Sequence, residues 1–212
     1  MLTKNAFTKF DSIAIWDTPN NCHNYADLTP NQQDELFKTV FQAKVFNEEW
    51  LKNIRYDRVI IGQNPGNDGK DIHSNSLLSF HFSTKSNDHR LAATIYQTSF
   101  WGGLMTDLTP EFESNSELVN TDSKDVDSTL HHLKHDLHMQ DDAVILCLGT
   151  KAYDAFKTYR KELSGTYKKQ EPVIIGKHLV LKVPHYSGSN NNKNTRLSHA
   201  KLLKTMQQFN II

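Results

Sequence analysis

Four short apolar runs in this chain each end in a polar or glycine-rich segment, and that repeated pattern narrows the fold more than any other feature. Val59-Ile60-Ile61 runs into Gly62-Gln63-Asn64-Pro65-Gly66, and Gly103-Leu104-Met105 into Thr106-Asp107-Leu108-Thr109-Pro110. Ile145-Leu146-Cys147 runs into Leu148-Gly149-Thr150, and Leu181-Lys182-Val183 into Pro184-His185-Tyr186-Ser187-Gly188-Ser189. Short β-rich runs stopped by glycine or proline read as buried strands. Helical patterns separate them. One starts at Thr29-Pro30 with Leu36, Val40, Phe41 and Val45 as its apolar stripe, and one at Asp88 with Leu91, Ile95 and Tyr96. A third is capped by Ser123 and carries Val126, Leu130, Leu133 and Leu137. A fourth is capped by Thr150 and contains Ala152, Tyr153 and Phe156, and the last spans 196–209. Residues 172–176 and 178–184 suit a hairpin, and 12–16 a short strand in an otherwise irregular segment 1–28.

Alternating strands and helices favour a mostly parallel sheet covered by helices on both faces, a three-layer α/β/α architecture. A chain of 212 residues suits one such domain, 1–212. In open sheets of this kind ligands bind beyond the carboxyl ends of the strands. If the sheet is parallel, the four polar segments converge on one rim, and the site belongs there.

Composition excludes several classes. No apolar run approaches the roughly 20 residues that cross a bilayer, and the first residues lack a signal-peptide core, so a cytoplasmic protein with no membrane partner is expected. Two cysteines, Cys22 and Cys147, cannot alone supply four thiolates, so no iron–sulfur cluster or other cofactor is expected. Lys plus Arg and Asp plus Glu both number 24, giving a formal net charge of zero. That balance lacks the basic excess of tight non-specific DNA binders but leaves room for a local basic patch. The histidines His131, His132, His135 and His138 suggest metal ligation only weakly, because no third ligand accompanies an i, i+4 pair; no metal is expected.

The VIIGQNPG run resembles the first motif of the uracil-DNA glycosylase superfamily, a buried strand followed by Gly-x-Asp/Asn-Pro. PHYSGS after LVLKV resembles the second, a strand leading to a His-containing loop. VILCLGTKA and GGLMTDL are similar to two further strands of that fold, and the resemblance covers about 57–208. It implies a uracil-DNA glycosylase-like domain that is monomeric, binds DNA and hydrolyses the N-glycosidic bond of a deaminated or altered base in repair. It also assigns roles. Asn64 would orient the attacking water and His185 would stabilise the leaving base. Gly62, Gln63, Pro65 and Gly66 would frame the base, Phe80 or Phe82 would stack on it, and Asp107 would meet its edge. Phe82 is the favoured aromatic. Tyr186, Ser187, Ser189, Lys193 and Arg196 would contact DNA.

Three departures qualify this implication. Asparagine at 64 orients water but removes no proton. An ionised Asp107 only accepts hydrogen bonds and so prefers a different base edge from the one an amide reads. The PHYSGS loop has no apolar wedge. Two other functions therefore stay open: a non-catalytic relative that binds nucleic acid or a protein partner, and a hydrolase of free nucleosides or nucleotides. Asp107 is also readable as the start of a turn with Thr109-Pro110.

Overall fold

A computed structural model describes residues 2–20, 22–41, 48–66, 80–81, 87–115, 117–165, 172–186 and 196–211. The sheet contains β1 (Ser12–Ile13), β2 (Arg55–Gly62), β3 (Gly103–Asp107), β4 (Val144–Leu148), β5 (Val173–Ile175) and β6 (His178–Val183), in the order β1-β3-β2-β4-β6-β5. The central strands β3, β2, β4 and β6 are parallel, and both edges, β1 and β5, are antiparallel. The helices are α1 (Pro30–Val40), α2 (Asp88–Ile95), α3 (Ser123–His135), α4 (Thr150–Ser164) and α5 (His199–Gln208).

Strand alternation builds two cores. Val59, Leu104, Ile145 and Val180 face one side, where Val126 and Leu133 of α3 and Ala152, Tyr153 and Phe156 of α4 cover them. Ile60, Met105, Leu146 and Leu181 face the other, under Phe37 of α1, Leu91 and Ile95 of α2, and Leu202 and Met206 of α5. The architecture is therefore a three-layer α/β/α sandwich, as the alternation of elements predicts. No helix among the described residues is long and apolar enough to cross a membrane.

Capping chemistry sets most helix starts. Thr29 and Gln32 form a reciprocal capping box with Pro30 in the first turn. The α3 cap is Asp122 with Asp125, one residue before the expected Ser123, because a carboxylate accepts from both Lys124 and Asp125 N–H groups. Gly149, at φ 91, replaces Thr150 as the residue before α4. The stripe of α1 also differs from expectation. Gln33, Asp34 and Phe37 are its buried residues, Leu36, Val40 and Phe41 are half-buried, and Val45 lies outside the described residues. The cause is electrostatic: Asp34 pairs with Arg90 of α2 and with Arg196 just before α5, so a charge cluster occupies part of the helix junction.

The N-terminal segment is irregular only in secondary structure. Leu2, Phe7, Ile13, Ala14, Trp16 and Tyr25 are all buried, and Ala14 extends the edge pairing to Gly102 and Gly103.

Candidate active site

The carboxyl ends of β3, β2, β4 and β6 lie side by side. Gly62 is in register with Asp107, and the pairing continues past the strands, with Leu108 N–H donating to Gly62 O and Thr109 N–H to Gln63 O, both at 3.1 Å. Gly149 N–H donates to Val183 O at 2.8 Å, which joins the β4 and β6 ends. Successive strands are spaced by about 4.8 Å, so the β2 and β6 loops are about 10 Å apart.

Within the first loop, both amides are held by the acidic segment that follows β3. Gln63 is buried and its Nε2 donates to Val119 O at 3.1 Å. Asn64 Nδ2 donates to Glu111 O at 2.9 Å and to Glu113 O at 2.6 Å. A primary amide has two N–H donors and one carbonyl acceptor. Committing both donors leaves Oδ1 as the working end of Asn64 and fixes the orientation of the amide. These carbonyl partners lie in a stretch that reads from composition only as a solvated acidic loop, because backbone acceptors leave no mark on residue type. Gly66 has φ 65, a conformation that favours glycine, so the turn after Pro65 requires it.

Asp107 ends β3 with its side chain buried. Neither carboxyl oxygen has a hydrogen-bond partner among the described residues. Burial first, then the nearby Asp11 and Asp88, holds its carboxyl well above the usual carboxylate range. A Cβ on Gly62 would collide with Asp107 Oδ1 and come within 3.2 Å of the Phe80 ring. Glycine at 62 is therefore what admits the carboxyl and the ring together. Phe80 is buried with φ 64, and its carbonyl accepts from Trp16 Nε1–H at 3.4 Å. Phe82 lies outside the described residues.

On the second loop, His185 is half-buried over Gly149 and stacks on Tyr186 with ring centroids 4.6 Å apart. Burial pushes the His185 imidazole down to about 4, so it is neutral at pH 7 and offers one N–H. Two expectations are corrected. Tyr186 is buried and donates its hydroxyl to Asp88 Oδ1 at 3.0 Å, so its ring is not exposed for the expected DNA contact. Arg196 turns inward to Asn31 Oδ1, Pro30 O and Asp34, which removes its guanidinium from a phosphate-holding position. Both reversals have one origin, the buried acids Asp88 and Asp34, which draw polar groups inward. Ser187, Ser189 and Lys193 lie outside the described residues. Of the histidine cluster, His132 is committed to Asp11 and Asp136, each at 2.8 Å.

The carboxyl rim of the sheet thus carries an amide, an imidazole, a buried acid and an aromatic ring. Residues 52–210 match the family model of the uracil DNA glycosylase superfamily, and the chain belongs to that superfamily. No curated protein matches the chain.

Proposed function

We propose that this protein is a DNA glycosylase that hydrolyses the N-glycosidic bond of a deaminated or altered base, uracil or a relative. The observation that carries the reading is the fixed Asn64 amide opposite a neutral His185 on the same rim. Superfamily membership supports the same chemistry and supports DNA as the substrate. Breaking the C1′–N bond leaves positive charge on the sugar and an electron pair on the departing base. The His185 N–H donates to a base oxygen and stabilises that anion as it forms. Asn64 Oδ1 accepts a hydrogen bond from the water whose oxygen then bonds C1′, and the water's surplus proton passes to solvent. Asn64 is no general base, so the enzyme is slow. The bond is unreachable inside a duplex, so the nucleotide must leave the stack or start single-stranded.

The test is single-turnover base release from uracil-containing duplex and single-stranded DNA. His185→Ala should cost about 10²–10³-fold, the range for losing one oxyanion donor. Asn64→Ala should lower the rate further, whereas Asn64→Asp should raise it by supplying a base. Wild-type rates untouched by both alanine changes would move the chemistry elsewhere. The inward-turned Tyr186 and Arg196 favour a second reading, hydrolysis of a free nucleoside or nucleotide. Release from free deoxyuridine but not from DNA would select it.

A further inference from the structure

We propose that Asp107 selects the base, presenting its carboxyl as one O–H donor and one C=O acceptor to a base edge that carries an acceptor beside a donor. This deepens the glycosylase reading and rests on it for the identity of the ligand as a base. The geometry comes first. Asp107 stands at the end of β3 beside the GQNPG loop, its residue is 7% exposed, and both oxygens are without a partner among the described residues. Gly62 gives up its side chain to admit that carboxyl, and the Phe80 ring lies against the same point. A buried polar group with no internal partner is costly unless a ligand satisfies it.

The surroundings decide its protonation. The groups facing Asp107 are Asp11 from the segment before β1, Asp88 from the start of α2, and Tyr186 from the loop after β6. His185 adjoins Tyr186 and is neutral. Asp11 is itself bound to His132 of α3, and Asp88 takes the Tyr186 hydroxyl. Two acids and a phenol leave a third charge uncompensated, and a proton on Asp107 removes it. A carboxylic acid kept neutral by its site can donate a hydrogen bond at pH 7. It then matches the C4 carbonyl and N3–H of uracil, which an ionised carboxylate would repel at the carbonyl. The acid thereby stands in for an amide, and the objection that a carboxylate cannot read uracil falls away.

The experiment separates this proposal from glycosylase activity. Protein labelled with ¹³C at aspartate carboxyls is titrated by NMR from pH 5 to 10, with Asp107→Asn assigning the Asp107 resonance. Binding of free uracil is followed on the same samples. The expected result is a protonated Asp107 at pH 7, with uracil affinity falling as pH rises through its titration. Asp107→Ala should weaken uracil binding at pH 7 by tenfold or more. Asp107→Asn should restore part of it and abolish the fall over the range where uracil keeps its N3–H, since an amide keeps its donor and acceptor throughout. A carboxylate signal at pH 7, or equal uracil binding by Asp107→Ala, would overturn the proposal. Both readouts need no bond cleavage. A protein that binds uracil through protonated Asp107 but releases no base would refute the glycosylase reading alone.

Discussion

Gly62 is where sequence, geometry and chemistry meet most tightly. Its missing side chain lets the Asp107 carboxyl and the Phe80 ring approach one point, so Gly62→Ala should displace one of them. We expect a stability loss of about 1–3 kcal/mol, the usual cost of overpacking, together with a larger loss of base binding. Urea denaturation beside uracil titration would check the pair, and unchanged uracil binding would mean that Gly62 is only a strand terminus. Asp107 yields a second prediction at this scale. Its folded pKa is raised, so its contribution is present below about pH 4, where an unfolded aspartate is also protonated, and is lost as pH rises toward the folded value. Asp107→Asn should therefore stabilise the protein, by an amount that grows as pH rises from 4. A melting-temperature difference independent of pH would contradict this. The strand pattern in the sequence put Asn64, Asp107 and His185 on one rim, because each follows a buried apolar run, whereas Phe80 was offered only by the family resemblance and after Phe82. It did not show that Tyr186 and Arg196 turn inward. Their partners Asp88 and Asp34 are remote in the chain, and the charge of a residue does not say which way it faces.

At the level of elements, the strands were readable because buried parallel strands are continuous apolar runs, and VIIG and VILCL admit few other structures. The α1 stripe was not, since its buried Asp34 is stabilised by Arg90 of α2 and by Arg196 just before α5. The same kind of long-range ion pair ties the N-terminal segment to α3. His132 Nε2 donates to the buried Asp11, and Nδ1 to Asp136 one turn on, each at 2.8 Å. These acids, the Asp11 hydrogen bond above all, push His132 up to about 9. The sign follows from the unfolded value near 6.5. The stabilisation is full below about pH 6.5 and disappears as pH rises through 9. His132→Ala should cost on the order of 2 kcal/mol at pH 6 and much less at pH 9.5, since each pKa unit is worth about 1.4 kcal/mol. Chemical denaturation at the two pH values tests this, and an equal cost at both would show that His132 acts only through packing.

The whole molecule depends on a segment outside the family match. Residues 52–210 carry the family pattern, yet Leu2, Phe7, Ile13, Ala14, Trp16 and Tyr25 complete both cores. Only 12–16 read as a short strand, and the apolar positions around it follow no regular period, so Leu2, Phe7 and Tyr25 were not marked as core. Trp16 also stacks on His81 at 4.6 Å, and the His81 Nε2–H donates to Ile13 O, which anchors the Phe80-His81 stretch beside the site. Burial holds His81 down to about 3, and His89 and His185 to about 4, with His199 lowered in the same sense. As pH falls below 6.5 the unfolded chain binds protons that these folded positions refuse, so stability is lost from there down toward 4. The three most strongly shifted histidines would give roughly 4 kcal/mol per pH unit below about pH 5.5, and Asp107, which sheds its proton on unfolding above pH 4, cuts this to at most roughly 3. A typical domain holds only about 5–15 kcal/mol, so the loss should be a large part of the stability by about pH 4. Circular dichroism against pH, with proton uptake on unfolding measured at pH 5.5, tests this. No net uptake, with Asp107 releasing its own proton on unfolding, would mean that these histidines titrate in the folded state. Because His185 is one of them, the burial that keeps its imidazole a neutral donor also contributes to the acid limit of the fold. Burial of His185 at the rim and tolerance of acid therefore trade against each other in this molecule.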